Sequence, residues 1–282
     1  MLQAPQRTGL SGPTLIRLLT RLTDAEVQQS RQSLSDHLSQ WLGWTDAIAL
    51  SAALNTAPPV IAPGARMFSS AEERECVRVR TTLADAIASD TAATAAKRVA
   101  PARAPAKKLA AVLAEDAFDY SSFRQRYLSL QHTMETSIGN LRSRLRGMVA
   151  ARNGEWTRLA VVDAIMDRAL LPKERALLGA IPKLLQAHFD GLRKAEEAAL
   201  AQAAEQVLAE PGASADATAE VPGDTQAPAV DAAQAGTSPP APAITAGAWL
   251  DTFRADMRAV LLAELDVRLQ PVEGLLAALR TS

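Results

Sequence analysis

One apolar stripe limits this chain more than any other feature. From Tyr127 to Met148 the residues Tyr127, Leu130, Met134, Ile138, Leu141, Leu145 and Met148 recur at steps of 3, 4, 4, 3, 4 and 3. That spacing places them on one side of an α-helix and excludes the two-residue alternation of a half-buried strand. Ile181, Leu184, His188, Leu192, Ala195, Ala199 and Gln202 step in the same way. In both stripes the doubled four is a stutter, which locally unwinds a left-handed supercoil. Two helices sharing a stutter stay in register, so the expectation is that they pair, within one chain or between copies.

The rest of the chain points to the same fold class. Hydrophobic residues make up 48% of the 282, but aromatics only 4%, and alanine supplies much of the remainder. Strand-type runs are nearly absent; the best, Val77 to Leu83, sits within a helical pattern. The reading is all-α: long amphipathic helices packed as a bundle or coiled-coil-like hairpin, with disordered linkers.

Local signals divide it. Residues 1–95 read as an N-terminal helical region. Thr14 to Leu22 forms a short helix, Thr23-Asp24-Ala25-Glu26 fits a capping box, and Asp46 to Leu54 is apolar until Pro58, Pro59 and Pro63 end it. Ser70-Ala71-Glu72-Glu73 fits a second box, opening a helix with Cys76, Val79, Leu83 and Ile87 in register. Residues 96–110 form a basic Ala/Pro linker. Residues 111–209 hold the long helices: Asp119 caps the first, Trp156 anchors the next, Pro172 starts another and Pro182 kinks or restarts it. Residues 210–247 carry Ala, Pro, Gly, Thr and acidic residues without a Lys or Arg, too little apolar surface to offset chain entropy. Residues 248–282 form a C-terminal helix to about Leu269 and a short one opened by Pro271.

Several function classes are set aside. His37, His132 and His188 lack a second ligand at zinc spacing, and Cys76 is the single cysteine. No phosphate loop, nucleophile elbow or dinucleotide fingerprint occurs. Acidic pairs such as Glu115/Asp116 and Glu196/Glu197 suit solvated helix faces. The expectation is a non-enzyme without a cofactor. The lone cysteine fits a reducing cytoplasm, and the prolines within Ala47 to Ala65 argue against a spanning helix.

Two surfaces remain. Leu250, Phe253, Met257, Val260, Leu261 and Leu265 form an apolar stripe following a segment unable to cover it, with Asp251, Arg254, Arg258 and Asp266 largely off that side. The stripe is expected to bind a protein partner, a second copy or the chain's own helices. Lys97, Arg98, Arg103, Lys107 and Lys108 are cations without acidic neighbours. They suit polyanion binding, to nucleic acid or anionic membrane, through phosphate neutralisation, or else a solvated linker held extended by self-repulsion. Arg142, Arg144, Arg146 and Arg152 favour a helix C-terminus or pair with the acidic linker.

Phe123-Arg124-x-x-Tyr127 with Gln131, Met134, Ile138, Leu141-Arg142 and Leu145-Arg146 resembles an uncharacterised proteobacterial family, domain of unknown function 3348. So does Trp249-Leu250-x-x-Phe253-Arg254-x-Asp256-Met257, continued by Leu261-Leu262-Ala263-Glu264-Leu265-Asp266-x-Arg268-Leu269-Gln270-Pro271. The resemblance implies no activity, cofactor or catalytic residue. It implies an accessory role beside envelope proteins that resemble ion-driven motor components. Taken together, these features predict a cytoplasmic helical interaction or scaffold protein.

Overall fold

The computed structural model describes residues 13–23, 32–55, 68–96, 119–152, 154–209 and 247–281, and every regular element among them is an α-helix. They are α1 (Thr14–Thr23), α2 (Leu34–Trp41), α3 (Trp44–Asn55), α4 (Ser70–Ala96), α5 (Tyr120–Ala150), α6 (Gly154–Leu178), α7 (Ile181–Ala209) and α8 (Ala248–Arg280). The all-α reading holds. No described helix is long and apolar enough to cross a membrane.

The helix starts follow local chemistry. Asp119 caps α5 as expected, its carboxylate accepting from the Ser121 N–H at 3.1 Å. The box at α4 sits one residue earlier than predicted: Ser69 is the cap, its N–H donates to Glu72 at 2.9 Å, and its hydroxyl accepts from the Ala71 N–H. Thr23 is the last residue of α1, donating its hydroxyl to the Leu19 carbonyl; the rest of the box expected from it, through Glu26, lies outside the described residues, and the next described helix, α2, takes its box from Ser33 and Asp36.

Two prolines expected to start helices lie inside them. Pro172 is exposed on α6, and Pro271 lies within α8. A proline forfeits one backbone hydrogen bond. In α8, Leu269, Val272, Leu275, Leu276 and Leu279 are buried on both sides of it, and that burial favours a continuous helix. Pro182, by contrast, does mark a restart: α6 ends at Leu178, Gly179 and Ala180 turn the chain, and Pro182 lies in the first turn of α7.

The core forms around α8. This helix packs on α1, α4, α5 and α7, and its most extensive partner is α5. One hydrophobic cluster joins Leu15 of α1, Cys76, Leu83 and Ile87 of α4, Phe123, Tyr127 and Leu145 of α5, Leu185 and Phe189 of α7, and most of the buried residues of α8. The predicted stripe of α5 is right in period and shifted at two places. Gln131 and Val149 are buried where Leu130 and Met148 were expected, and the latter two are only partly covered. In α7 the buried positions are Ile181, Leu185 and Phe189; Leu184 is exposed. α5 and α7 do meet, through Tyr120 and Phe123 against Phe189 and not through the predicted stripes, and both also face α8, so the pairing is shared among three helices.

Outside this core lies a second layer. α6 runs back along α5, and α2 and α3 pack on α6. Burial separates the two layers energetically. Leu261→Ala, at a fully buried site, is expected to cost about 2–5 kcal/mol in urea unfolding. Leu54→Ala, on exposed α3, should fall within about 0.5 kcal/mol of the parent.

Candidate functional site

Of the three covers expected for the six C-terminal residues, a protein partner, a second copy or the chain's own helices, the structure has the last: they are inside the chain's own core. Leu250, Phe253, Val260 and Leu261 have no exposed surface, and Met257 and Leu265 are nearly as buried. Phe253 meets the rings of Phe123, Phe189 and Tyr120 at 5.2, 5.0 and 6.2 Å between centroids. Trp249 closes the cluster against Phe189 at 4.8 Å. The stripe docks on its own chain, so in this fold it is not offered to another. Arg254, placed off the stripe by periodicity, is buried as well. Its guanidinium donates to Asp251 at 2.9 Å and lies 5.9 Å from the Phe123 ring centroid. With neighbours on several sides, α8 keeps only a narrow exposed stripe, on which Asp251, Arg258 and Asp266 lie as expected, so the one-face periodicity of its apolar residues understates its burial.

At the centre of α8 is a polar cluster. Glu264 is 0% exposed. It accepts the Tyr127 hydroxyl at 2.7 Å and the Gln131 amide at 3.0 Å to each oxygen. The Arg268 Nε donates to it at 2.9 Å. Arg268 reaches on to Glu174 of α6 at 2.8 Å, and Gln131 also donates to the Leu178 carbonyl at 3.1 Å. Three helices are thereby tied at one buried point. Burial, then the charge of Glu264, pushes the Tyr127 phenol far above its ordinary range, so it remains a donor. Burial also raises the Glu174 carboxyl, against the pull of Arg268. With no exposed surface, Glu264 offers no path for a substrate while the core is closed.

A second polar array lies along the α5–α6 seam. Arg142 donates to Asp163 and Asp167, each at 2.6 Å. Arg146 donates to the same two carboxylates, each at 2.7 Å. Farther along, Arg175 of α6 bonds Glu135 of α5, which holds that carboxyl below its ordinary range. Arg142 and Arg146 therefore pair with α6, and Arg144 reaches Glu75 of α4 at 3.5 Å; their expected partner, the acidic linker, lies outside the described residues.

The remaining candidates are structural. His188 is half-buried, its Nε2 2.9 Å from Asp256 of α8. His37 stacks on Trp41 at 5.8 Å. Glu196 accepts the Gly247 N–H at 2.9 Å, where α8 begins. Cys76 is buried, and burial raises its thiol. No group of three metal-ligating side chains occurs among the described residues. Lys97, Arg98, Arg103, Lys107 and Lys108, with Glu115 and Asp116, lie outside the described residues.

Sequence reasoning missed the roles of Glu264, Arg268, Asp163, Asp167 and Glu174. The signal was present: Arg142/Arg146 and Asp163/Asp167 are each four residues apart, as are Glu264 and Arg268.

The fold and site define an all-α protein whose charged side chains mainly join helices to one another. A family model described as a protein of unknown function (DUF3348) matches residues 1–218 and 223–281. The chain belongs to that family, and the motifs around Tyr127, Gln131, Glu264 and Arg268 fall within the match. No curated protein and no solved structure matches it.

The polar cluster yields a graded expectation. Glu264→Ala leaves the buried Arg268 guanidinium without one of its two carboxylate partners and should cost about 3–5 kcal/mol. Tyr127→Phe removes one hydrogen bond to a carboxylate and should cost about 1.5–3 kcal/mol. Urea unfolding of both variants checks the order.

Proposed function

We propose that this is a non-enzymatic interaction protein that binds another protein through α3. The observation carrying this reading is an exposed apolar face. α3 is apolar all round, the pattern of a helix covered on every side, yet none of its residues is buried. Trp44 is 81% exposed, and Ile48 and Leu54 are each 52% exposed. With Ala47 and Ser51 these residues follow three- and four-residue steps along one side. The only charge in α3, Asp46, is turned to α6, where it accepts from Arg168 at 3.1 Å. What remains is a charge-free face with an aromatic side chain near one end. A patch of this kind marks a protein contact more often than a solvated surface, and tryptophan is enriched at the centres of such contacts.

The mechanism is helix pairing without chemistry, as in a scaffold or an accessory subunit of a larger assembly. The partner helix would supply an apolar stripe, because the α3 face presents nothing for a charge to meet. The six residues of α8 are occupied in cis and take no part. The test is Trp44→Ser with Ile48→Ser in the full chain, followed by affinity capture and sedimentation velocity. Partner capture or self-association should fall at least about tenfold, the loss of about 1.4 kcal/mol that a single binding hot spot exceeds. The melting temperature should stay within about 2 °C, as for a surface substitution. Unchanged association would reject α3 as the binding face.

A further inference from the structure

α6 is joined to the core in a different way from every helix that surrounds α8. Among its residues only Thr157, Ala160, Ile165 and Leu178 are buried, and only the last two are large and apolar. Ala160 and Leu178 join the hydrophobic cluster, with Trp156 packed on it, and beside them a long series of polar contacts crosses from α6 to α5 and α8. Arg142 and Arg146 each hold both Asp163 and Asp167, Arg175 holds Glu135, Arg268 holds Glu174, and Gln131 holds the Leu178 carbonyl. The pairs keep a common register: positions 135, 142 and 146 ascend α5 while 175, 167 and 163 descend α6. The seam is thus a zipper of charge along an antiparallel hairpin, and α3, with no buried residue, packs on its outer side.

We propose that α6 and α3 form a charge-held layer that opens from the α4–α5–α7–α8 core as a unit, without unfolding that core. Two physical facts favour a separate unit. Ion pairs that leave the protein regain hydration, so opening at a polar seam forfeits less free energy than exposing an equal apolar surface. The corner joining α6 to α7 is also sharply defined. The Gly179 N–H donates to the Arg175 carbonyl at 2.9 Å, and a β-carbon there would lie 2.8 Å from that oxygen. The corner therefore needs glycine, and it gives the layer a defined end. Opening would release the contacts of Gln131 with Leu178 and of Arg268 with Glu174, while the bonds of both to Glu264 stay within the core. This inference stands apart from the reading of α3 as a binding face, because it concerns how that helix is carried.

Native-state hydrogen exchange on the full chain tests it, comparing the parent with Asp163→Asn/Asp167→Asn. These changes keep side-chain shape and remove the charge of the seam. Exchange in 154–178 should accelerate at least about tenfold, the ratio given by 1.4 kcal/mol of lost pairing, with 44–55 rising alongside it. Exchange in 70–89 and 248–280 should be unchanged. Arg142→Gln/Arg146→Gln should give the same pattern from the other side. Uniform acceleration of all helices, or failure of both variants to fold, would show that layer and core unfold together and would overturn the proposal. So would unchanged exchange in 154–178.

Discussion

Packing one helix against four others leaves it only a narrow solvent-facing stripe, and the rest of this structure follows from how α8 meets that constraint. Half of its 33 residues are buried. Most are Leu, Val, Met and aromatic side chains that fill the space between α1, α4, α5 and α7. Glu264 and Arg268 are the exceptions, and each needs partners because an unpaired charge at that depth would cost several kcal/mol. Tyr127 and Gln131 supply donors to Glu264 from α5, and Glu174 supplies an acceptor to Arg268 from α6. The polar cluster therefore fixes how far α8 can slide or rotate against α5, a constraint that interchangeable apolar contacts cannot provide alone. A shift of one residue along either helix would leave Glu264 without its donors.

The two layers are held by different forces. Around α8, cohesion comes from apolar burial and ring packing about the buried Glu264–Arg268 pair, with further ion pairs at the rim: Arg80 with Asp266 and Glu273, and Arg280 with Glu73. Such exposed pairs contribute little each. Along α5–α6 the balance reverses, since Arg142, Arg146, Asp163 and Asp167 are partly buried and each arginine bridges two carboxylates. Shared geometry of this kind is worth more than the same number of isolated surface pairs. The difference places the exposed face of α3 on the layer with the weaker apolar attachment.

The fold class was legible because helical periodicity survives local substitutions. The period of α5 and the Asp119 cap followed directly from the residues. Periodicity favoured Leu130 over Gln131 because it ranks residues by hydrophobicity, whereas Gln131 is buried for its amide. It assigned Arg254 to solvent because it assumes that a helix has one buried side. It treated Pro172 and Pro271 as boundaries because the local penalty is visible in sequence and the compensating tertiary burial is not. The apolar stripe of α8 was identified correctly as a surface needing cover, but sequence alone does not say whether the cover comes from the same chain. The face of α3 shows the converse. Its apolar character over Asp46 to Leu54 is plain in the residues, and only packing reveals that nothing in the described chain covers Trp44.

The account depends on α8 being the centre of the fold and not a tethered appendage. Calorimetric unfolding of the chain ending at residue 247 tests this directly. If α8 organises the bundle, that chain will lose its cooperative transition and most of its helicity per residue. A cooperative transition near that of the full chain, with helicity per residue retained, would contradict the account and show that the remaining helices form a core without it.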